Sequence, residues 1–260
     1  MKIRYYYLIR VQFLGFRYSG WQRQPGQRTV EGMLLKTLKY LLPKQKFKIL
    51  GAGRTDAKVS ALDAAFELLI EDSPISDISY FIKTFNNNLP SDIKILKVDN
   101  IDKDFNIIKD SKTKDYEYFF SFGEKNHPFC APFMANILED LDIDIMTKAA
   151  ALYAGTHNFK AYTAKHKENK QVVRTLTSCS ISENSEISAS FFPKQSYVLR
   201  ISGKGFMRYQ VRMIMGALIL LGRGLLNLEE IKYSLTGDSD ITIPYIAPGS
   251  GLVLNKLEFE

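Results

Sequence analysis

Cysteine is nearly absent from this chain. Cys130 and Cys179 are the two in 260 residues, and they form no CxxC pair, so neither a disulfide framework nor a cysteine zinc site is supported and a reducing compartment fits. Histidine is as scarce. His127, His157 and His166 stand at spacings that suit no zinc site, and no carboxylate cluster accompanies them. The longest apolar run, Met213 to Gly222, falls far short of the ~20 residues that span a bilayer. MKIRYYYLIR at the start is too charged and aromatic for a signal peptide. These absences lead us to expect a cytoplasmic protein with no membrane segment. Acidic residues are missing where they would matter most for charge: residues 1 to 60 hold 13 Lys/Arg against Glu31 and Asp56 alone, a local balance of +11.

A second basic stretch, residues 155 to 175, sets Lys160, Lys165, Lys167, Lys170 and Arg174 against Glu168. The whole chain carries +7, so the remainder is net acidic. Positive charge segregated in this way is the footprint expected of a phosphate-bearing partner, because Lys and Arg gain affinity by displacing counterions from a polyanion. A merely basic soluble protein is the alternative. With 45% hydrophobic residues the chain has ample material for a core.

Periodicity orders the elements. YYYLIRVQF (5 to 13) reads as a strand. TVEGMLLKTLKYLL (29 to 42) reads as a helix with a Thr cap, Val30, Met33, Leu34, Leu38 and Leu41 at helical spacing, and Pro43 as its stop. FKILGAGR and SALDAAFELLI follow as strands, SDISYFIKTFNNNL as a helix capped by Ser76 or Asp77, and IKILKVDNI as a strand. This β-α-β-β-α-β order is that of a split βαβ unit, an antiparallel sheet with helices on one face. The second half predicts a similar set: KDYEYFFSF as a strand, DIDIMTKAAALYAGTHNF as a helix, RTLTSCSIS and YVLRISGKGF as strands, and FMRYQVRMIMGALILLG as a helix closed by Gly222 or Gly224. The expected fold is α+β, with two ferredoxin-like halves, 1 to 108 and 109 to 260, joined into an antiparallel sheet with a central basic cleft and helices on the outer face.

GAGRTDAKVSA (51 to 61) places Arg54-Thr55-Asp56 in a loop between two strands, with Gly51 and Gly53 free to bend sharply or to approach a ligand closely. Open to water, Arg54 and Asp56 are an ordinary surface pair of little energetic weight. In a cleft, Asp56 is an ionised nucleophile or base held by a cation. The late glycines of GALILLGRG end a helix and do not open one, so they are no dinucleotide loop.

GAGRTDAKVSA resembles the GRTDAGVHA signature of the TruA family of tRNA pseudouridine synthases, and six further blocks agree in order. SGWQRQPGQRTVEG is similar to that family's first-strand exit and helix start, and FNNNLPSDIKIL to its Asn-x-x-Leu-Pro segment. KDYEYFFSF resembles its Arg-x-Tyr-x-Tyr strand, and GTHNFKAYT its Gly-x-His-Asp-Phe block. GFMRYQVRMIMG resembles its Phe-Leu-x-x-Met-Val-Arg-x-x-x-Gly helix, and APGSGLVL its C-terminal Ala-Pro-x-x-Gly-Leu. The resemblance runs from about residue 5 to residue 254.

It implies an isomerase that needs neither cofactor nor metal, acting on uridines in tRNA, usually positions 38 to 40 of the anticodon arm. The N1–C1′ bond breaks, the uracil turns, C5 joins C1′ and the C5 proton leaves. A carboxylate suits the first step, being ionised at pH 7 and nucleophilic in a dry site. By resemblance Asp56 is that group, attacking either uracil C6 or C1′. Arg212 is expected to pair with it and hold its pKa low, and Tyr116 to stack on the uracil and relay the C5 proton. Tyr116 and Tyr118 share a face of their strand, so a core role for one of them is the alternative. The target base must be flipped out, and Arg54 suits the vacated space because its guanidinium stacks and binds phosphate together. Arg23, Lys58, His157, Lys204, Arg208 and Leu252 are carried over as substrate-binding positions. Trp21, Tyr18 and Tyr162 are either stacking surfaces or packing residues. The resemblance also implies a homodimer.

The pattern departs in places. Lys58-Val59-Ser60 stands where the family usually has Gly-Val-His, Lys204 where it has Asn, Arg208-Tyr209 where it has a polar pair, and Gln210 where it has Met. These changes put in question which RNA is modified. A diverged enzyme acting on another tRNA position or on ribosomal RNA is one alternative, and a non-catalytic RNA-binding protein on the same scaffold is the other.

Overall fold

The computed structural model describes residues 3–164 and 171–259. Lys165, His166, Lys167, Glu168 and Lys170 of the second basic stretch lie outside the described residues. The chain is α+β and divides into two compact units, Met1–Lys112 with Leu254–Glu260, and Thr113–Val253. Among the described residues no helix is long and apolar enough to cross a membrane.

In the first unit, β1 (Arg4–Phe13), α1 (Val30–Leu41), β2 (Phe47–Gly51), β3 (Ser60–Glu71), α2 (Ile78–Asn88) and β4 (Ile93–Asn100) follow the order the periodicity predicts. β1 runs antiparallel to both β3 and β4. β2 pairs with β3 on its other edge, which is shared by the C-terminal strand, named β10 below (Leu252–Phe259). Alternation explains β1: Tyr7, Ile9, Val11 and Phe13 point to one side and are buried. Leu8, on the opposite side, packs with Ala65, Ile107 and Leu257 against Phe105 and Phe259.

The helices begin where their caps predict. Thr29 accepts from the Gly32 N–H at 3.2 Å and Asp77 from the Tyr80 N–H at 2.9 Å. Thr29 is buried, and its replacement by alanine is expected to cost about 1 kcal/mol. Thermal unfolding should then show a Tm lower by about 2–4 °C.

β4 contains a bulge, because Arg10 faces Lys97 while Val11 already faces Ile95. The Asn86 side chain closes on Ile95 from α2, accepting from its N–H at 2.7 Å and donating to its carbonyl at 2.9 Å. This is the structural meaning of the asparagine in the Asn-x-x-Leu-Pro segment.

In the second unit, β5 (Ser111–Phe122) pairs antiparallel with β9 (Tyr197–Gly203), β9 with β8 (Val173–Glu183), and β8 with β7 (Gly155–Asn158). The short β6 (Ala135–Ile137) runs parallel to β5. The strands are thus mixed, not purely antiparallel as expected.

The helix expected over 142 to 159 is also shorter. α3 covers Ile143–Ala150, a 3-10 turn follows at Ala151–Tyr153, and the remainder is β7. Gly155 at φ +110° breaks the helical path, and the weak helix formers Gly155, Thr156, His157 and Asn158 pair with β8. The helix expected from Phe206 starts four residues later, as α4 (Gln210–Gly222), because Tyr209 at φ 64° takes a left-handed conformation. A further helix, α5 (Leu228–Ser234), follows, with a capping box between Asn227 and Glu230.

Candidate active site

The first unit carries the Arg54-Thr55-Asp56 loop, and the SGWQ block is what holds it. The Trp21 main-chain N–H donates to the Thr55 carbonyl at 3.0 Å, and the Lys58 N–H donates to the Tyr18 carbonyl at 3.0 Å. On its other side the same segment receives α1: Val30 N–H donates to the Gly20 carbonyl and Glu31 N–H to the Trp21 carbonyl. Two of the helix's unsatisfied first-turn donors are met this way, and the loop is tied to a rigid element.

The approach is close. A Cβ on Gly20 would stand 2.7 Å from the Thr55 carbonyl oxygen, and one on Gly15 would stand 1.9 Å from that of Val59. Gly15 N–H also donates to Ser60 Oγ at 2.9 Å. Ser60 is therefore a buried fastening of the loop, and of the two departures in this motif only Lys58 changes the exposed surface.

Within the loop Arg54 is exposed, its Nη1 donating to Gln22 Oε1 at 3.0 Å. Asp56 is half-buried, and the Val59 N–H donates to its carbonyl at 3.2 Å, closing a turn. Arg23 is exposed in the same segment, its backbone N–H donating to Glu31 Oε2 at 2.6 Å. Asp92 gathers a side network, accepting from Tyr18 Oη at 2.6 Å and from Arg17 at 2.7 and 2.9 Å. Burial pushes the Asp92 carboxyl up, but these hydrogen bonds and the Arg17 charge outweigh it and hold the group below its ordinary range.

The second unit carries the tyrosine strand and the arginine helix. Tyr118 is fully buried, donates to the Pro248 carbonyl at 2.8 Å, and has its phenol pushed well up by burial. It takes the core role. Tyr116, on the same face, is half-buried with its ring edge-on to Phe206 at 5.2 Å. Lys114, next on that face, has its ammonium pushed below the ordinary value by burial.

Arg212, half-buried on the first turn of α4, donates from Nε to the Ala247 carbonyl at 2.7 Å, and its guanidinium carbon lies 5.3 Å from the centre of the Tyr209 ring. The guanidinium of Arg208, an exposed side chain, lies over the same ring at 4.8 Å. Gly216 lets the Tyr245 carbonyl rest on α4, where a Cβ would meet it at 2.0 Å. The Ala-Pro block thus fixes both motif elements, since Ala247 meets Arg212 and Pro248 meets Tyr118.

Lys204 is exposed, and Leu252 is buried at the start of β10. His157 donates its Nε2–H to the Ala154 carbonyl at 2.9 Å, within its own loop.

Of the two readings of Trp21, Tyr18 and Tyr162, the structure bears out packing: they are 1%, 3% and 0% exposed, so they present no open ring face to a base. Trp21 packs with Phe13 and Phe66, and Tyr162 is hydrogen-bonded between Tyr153 and Ser234. Sequence reasoning missed Gly15, Gly20 and Ala247, and it took Tyr209 only as a departure from the motif. Gly20 and Ala247 lie inside the matched blocks, and a search for glycines flanking the loop would have found the first two. Among the described residues no group of three or more His, Cys, Asp or Glu is placed to hold a metal.

The tRNA pseudouridine synthase family matches residues 149–260. The tRNA pseudouridine synthase A of Thermodesulfovibrio yellowstonii is 31% identical, over 96% of this chain and 97% of that protein. That of Dictyoglomus thermophilum is 31% identical over 96% and 98%, and that of Aquifex aeolicus 31% over 96% and 98%. With such identity sustained along nearly the whole of both chains, this protein belongs to the tRNA pseudouridine synthase A (TruA) family and is an enzyme of tRNA pseudouridine synthesis.

Proposed function

We propose that the enzyme isomerises uridines of the tRNA anticodon arm, positions 38 to 40, with Asp56 as nucleophile and Arg212 as the cation that orients its carboxylate. Two split βαβ halves about a basic cleft, a homodimeric assembly and a cytoplasmic setting are parts of the same reading. The observation that carries it is the built loop of the first unit. A half-buried carboxylate between an exposed arginine and an exposed lysine, fastened by backbone hydrogen bonds to a helix start, is held far more firmly than a solvated turn needs to be.

The roles follow from chemistry. Flipping a stacked uridine costs a few kcal/mol, and the exposed, planar Arg54 guanidinium refills the gap it leaves. Asp56 forms a covalent adduct at uracil C6 or ribose C1′, the N1–C1′ bond breaks, the uracil turns so that C5 bonds to C1′, and the bond to Asp56 then breaks to return the free carboxylate. The C5 proton passes out by way of Tyr116, whose half-buried ring is assigned to stack on the base, and N1 gains a proton, so nothing is oxidised or reduced overall. Arg23, Lys204 and Arg208, all exposed cations, meet the phosphates, while Leu252 lines the base pocket and His157 steadies its loop.

The test is tritium release from tRNA transcripts labelled at uridine C5. Release is expected from a transcript whose only labelled uridines are at 38 to 40. Release confined to other tRNA positions, or seen only with ribosomal RNA, would overturn the substrate assignment.

A further inference from the structure

Among the described residues, three that are not glycine have left-handed φ values: Lys58 at 66°, Asp72 at 77° and Tyr209 at 64°. Two of the three adjoin the motif residues, Lys58 two places after Asp56 and Tyr209 three before Arg212. The conformation of Lys58 is imposed from outside. Its N–H is tied to the Tyr18 carbonyl, and the next N–H, of Val59, closes the turn onto Asp56. Glycine would adopt this φ without strain, and glycine is what the resembling signature carries there. A side chain at such a position persists where it does something that offsets the strain.

Lys58 is exposed, and its ammonium lies over the Phe16 ring, 5.4 Å from the centroid. No carboxylate pairs with it among the described residues. It is therefore a cation carried on a fixed turn beside the reactive carboxylate, steadied by an aromatic ring and with donors to spare.

Resting on the reading of Asp56 as the catalytic group, we infer that Lys58 is an RNA-affinity element: it binds a backbone phosphate next to the flipped uridine. A phosphodiester fits because it offers a full negative charge and acceptor oxygens. The contact is blind to base identity and would strengthen the hold on the flanking strand, whatever its sequence.

Two variants test it, Lys58→Gly and Lys58→Gln, each titrated with unmodified tRNA across a salt series. Expected are a three- to tenfold weaker Kd near physiological salt, a KM raised in step, and a slope of log Kd against log salt reduced by about 1. Lys58→Gly, freed of the strained φ, should also melt no lower than the unaltered protein, which a purely structural role for the lysine does not predict. An unchanged Kd and salt slope in both variants would overturn the inference, as would a fall in kcat at constant Kd. The control is Asp56→Ala. Full activity there would sink the reading of the loop itself, whereas an inactive Asp56→Ala beside unaltered Lys58 variants would sink only the phosphate contact.

Discussion

Asp56→Ala is expected to form no pseudouridine while still binding tRNA. Loss of a nucleophile removes the covalent route and not merely a stabilising contact, so the fall should be about 10⁴-fold or more in the single-turnover rate. Binding should hold or tighten, because the substitution removes one of the two carboxylates that residues 1 to 60 set against 13 cations. Asp56→Asn separates charge from shape: it keeps the side chain's size and one acceptor oxygen, removes the charge, and should be as inactive as alanine. Tritium release in one enzyme turnover, read beside filter binding of the same tRNA, makes the comparison. If either variant retained a tenth of the rate, Asp56 would not be the nucleophile.

The second large effect comes from a residue that touches no substrate. In Gly15→Ala the new methyl would fall 1.9 Å from the Val59 oxygen and 2.3 Å from its carbonyl carbon. These are main-chain atoms, which no rotamer change can move aside, so residues 56 to 60 have to shift by about 1 Å. A displacement of that size at a reacting group costs about 10²-fold in rate, and the crowding costs about 1–3 kcal/mol in stability. Gly237→Ala is the matched control, since its nearest neighbour, Asn158 Nδ2, is 3.8 Å away and its φ is not left-handed. Rates and melting curves of the two proteins should diverge sharply, and an active Gly15→Ala would mean that the loop is not rigidly held.

Much of this was legible in the sequence for identifiable reasons. The six elements of the first unit are amphipathic, locally capped and punctuated by Pro43 and Pro90, so local pattern and tertiary fold agree. Thr29 and Asp77 could be read as caps because a cap is a local device. Where the reading failed, something distant decided. Beyond α3 and its 3-10 turn the chain breaks at Gly155, and β8 takes up Gly155–Asn158 as β7, a pairing with a strand later in the chain. α4 starts late because of a single strained tyrosine, which no propensity scale anticipates. For Trp21, Tyr18 and Tyr162 the choice between stacking and packing stayed open in the sequence, because composition reveals a ring but not what covers it. The motif blocks single out Asp56, Tyr116 and Arg212 as candidates, yet the glycines and carbonyls that hold their surroundings became visible only once the backbone was traced.

The grip of Ala247 on Arg212 has a bearing on synthesis. The arginine is translated 35 residues before the carbonyl that aims it, and Pro248, which anchors Tyr118, comes later still. A nascent chain can therefore form α4 and β5 before the carbonyls that receive the Arg212 and Tyr118 side chains have been made.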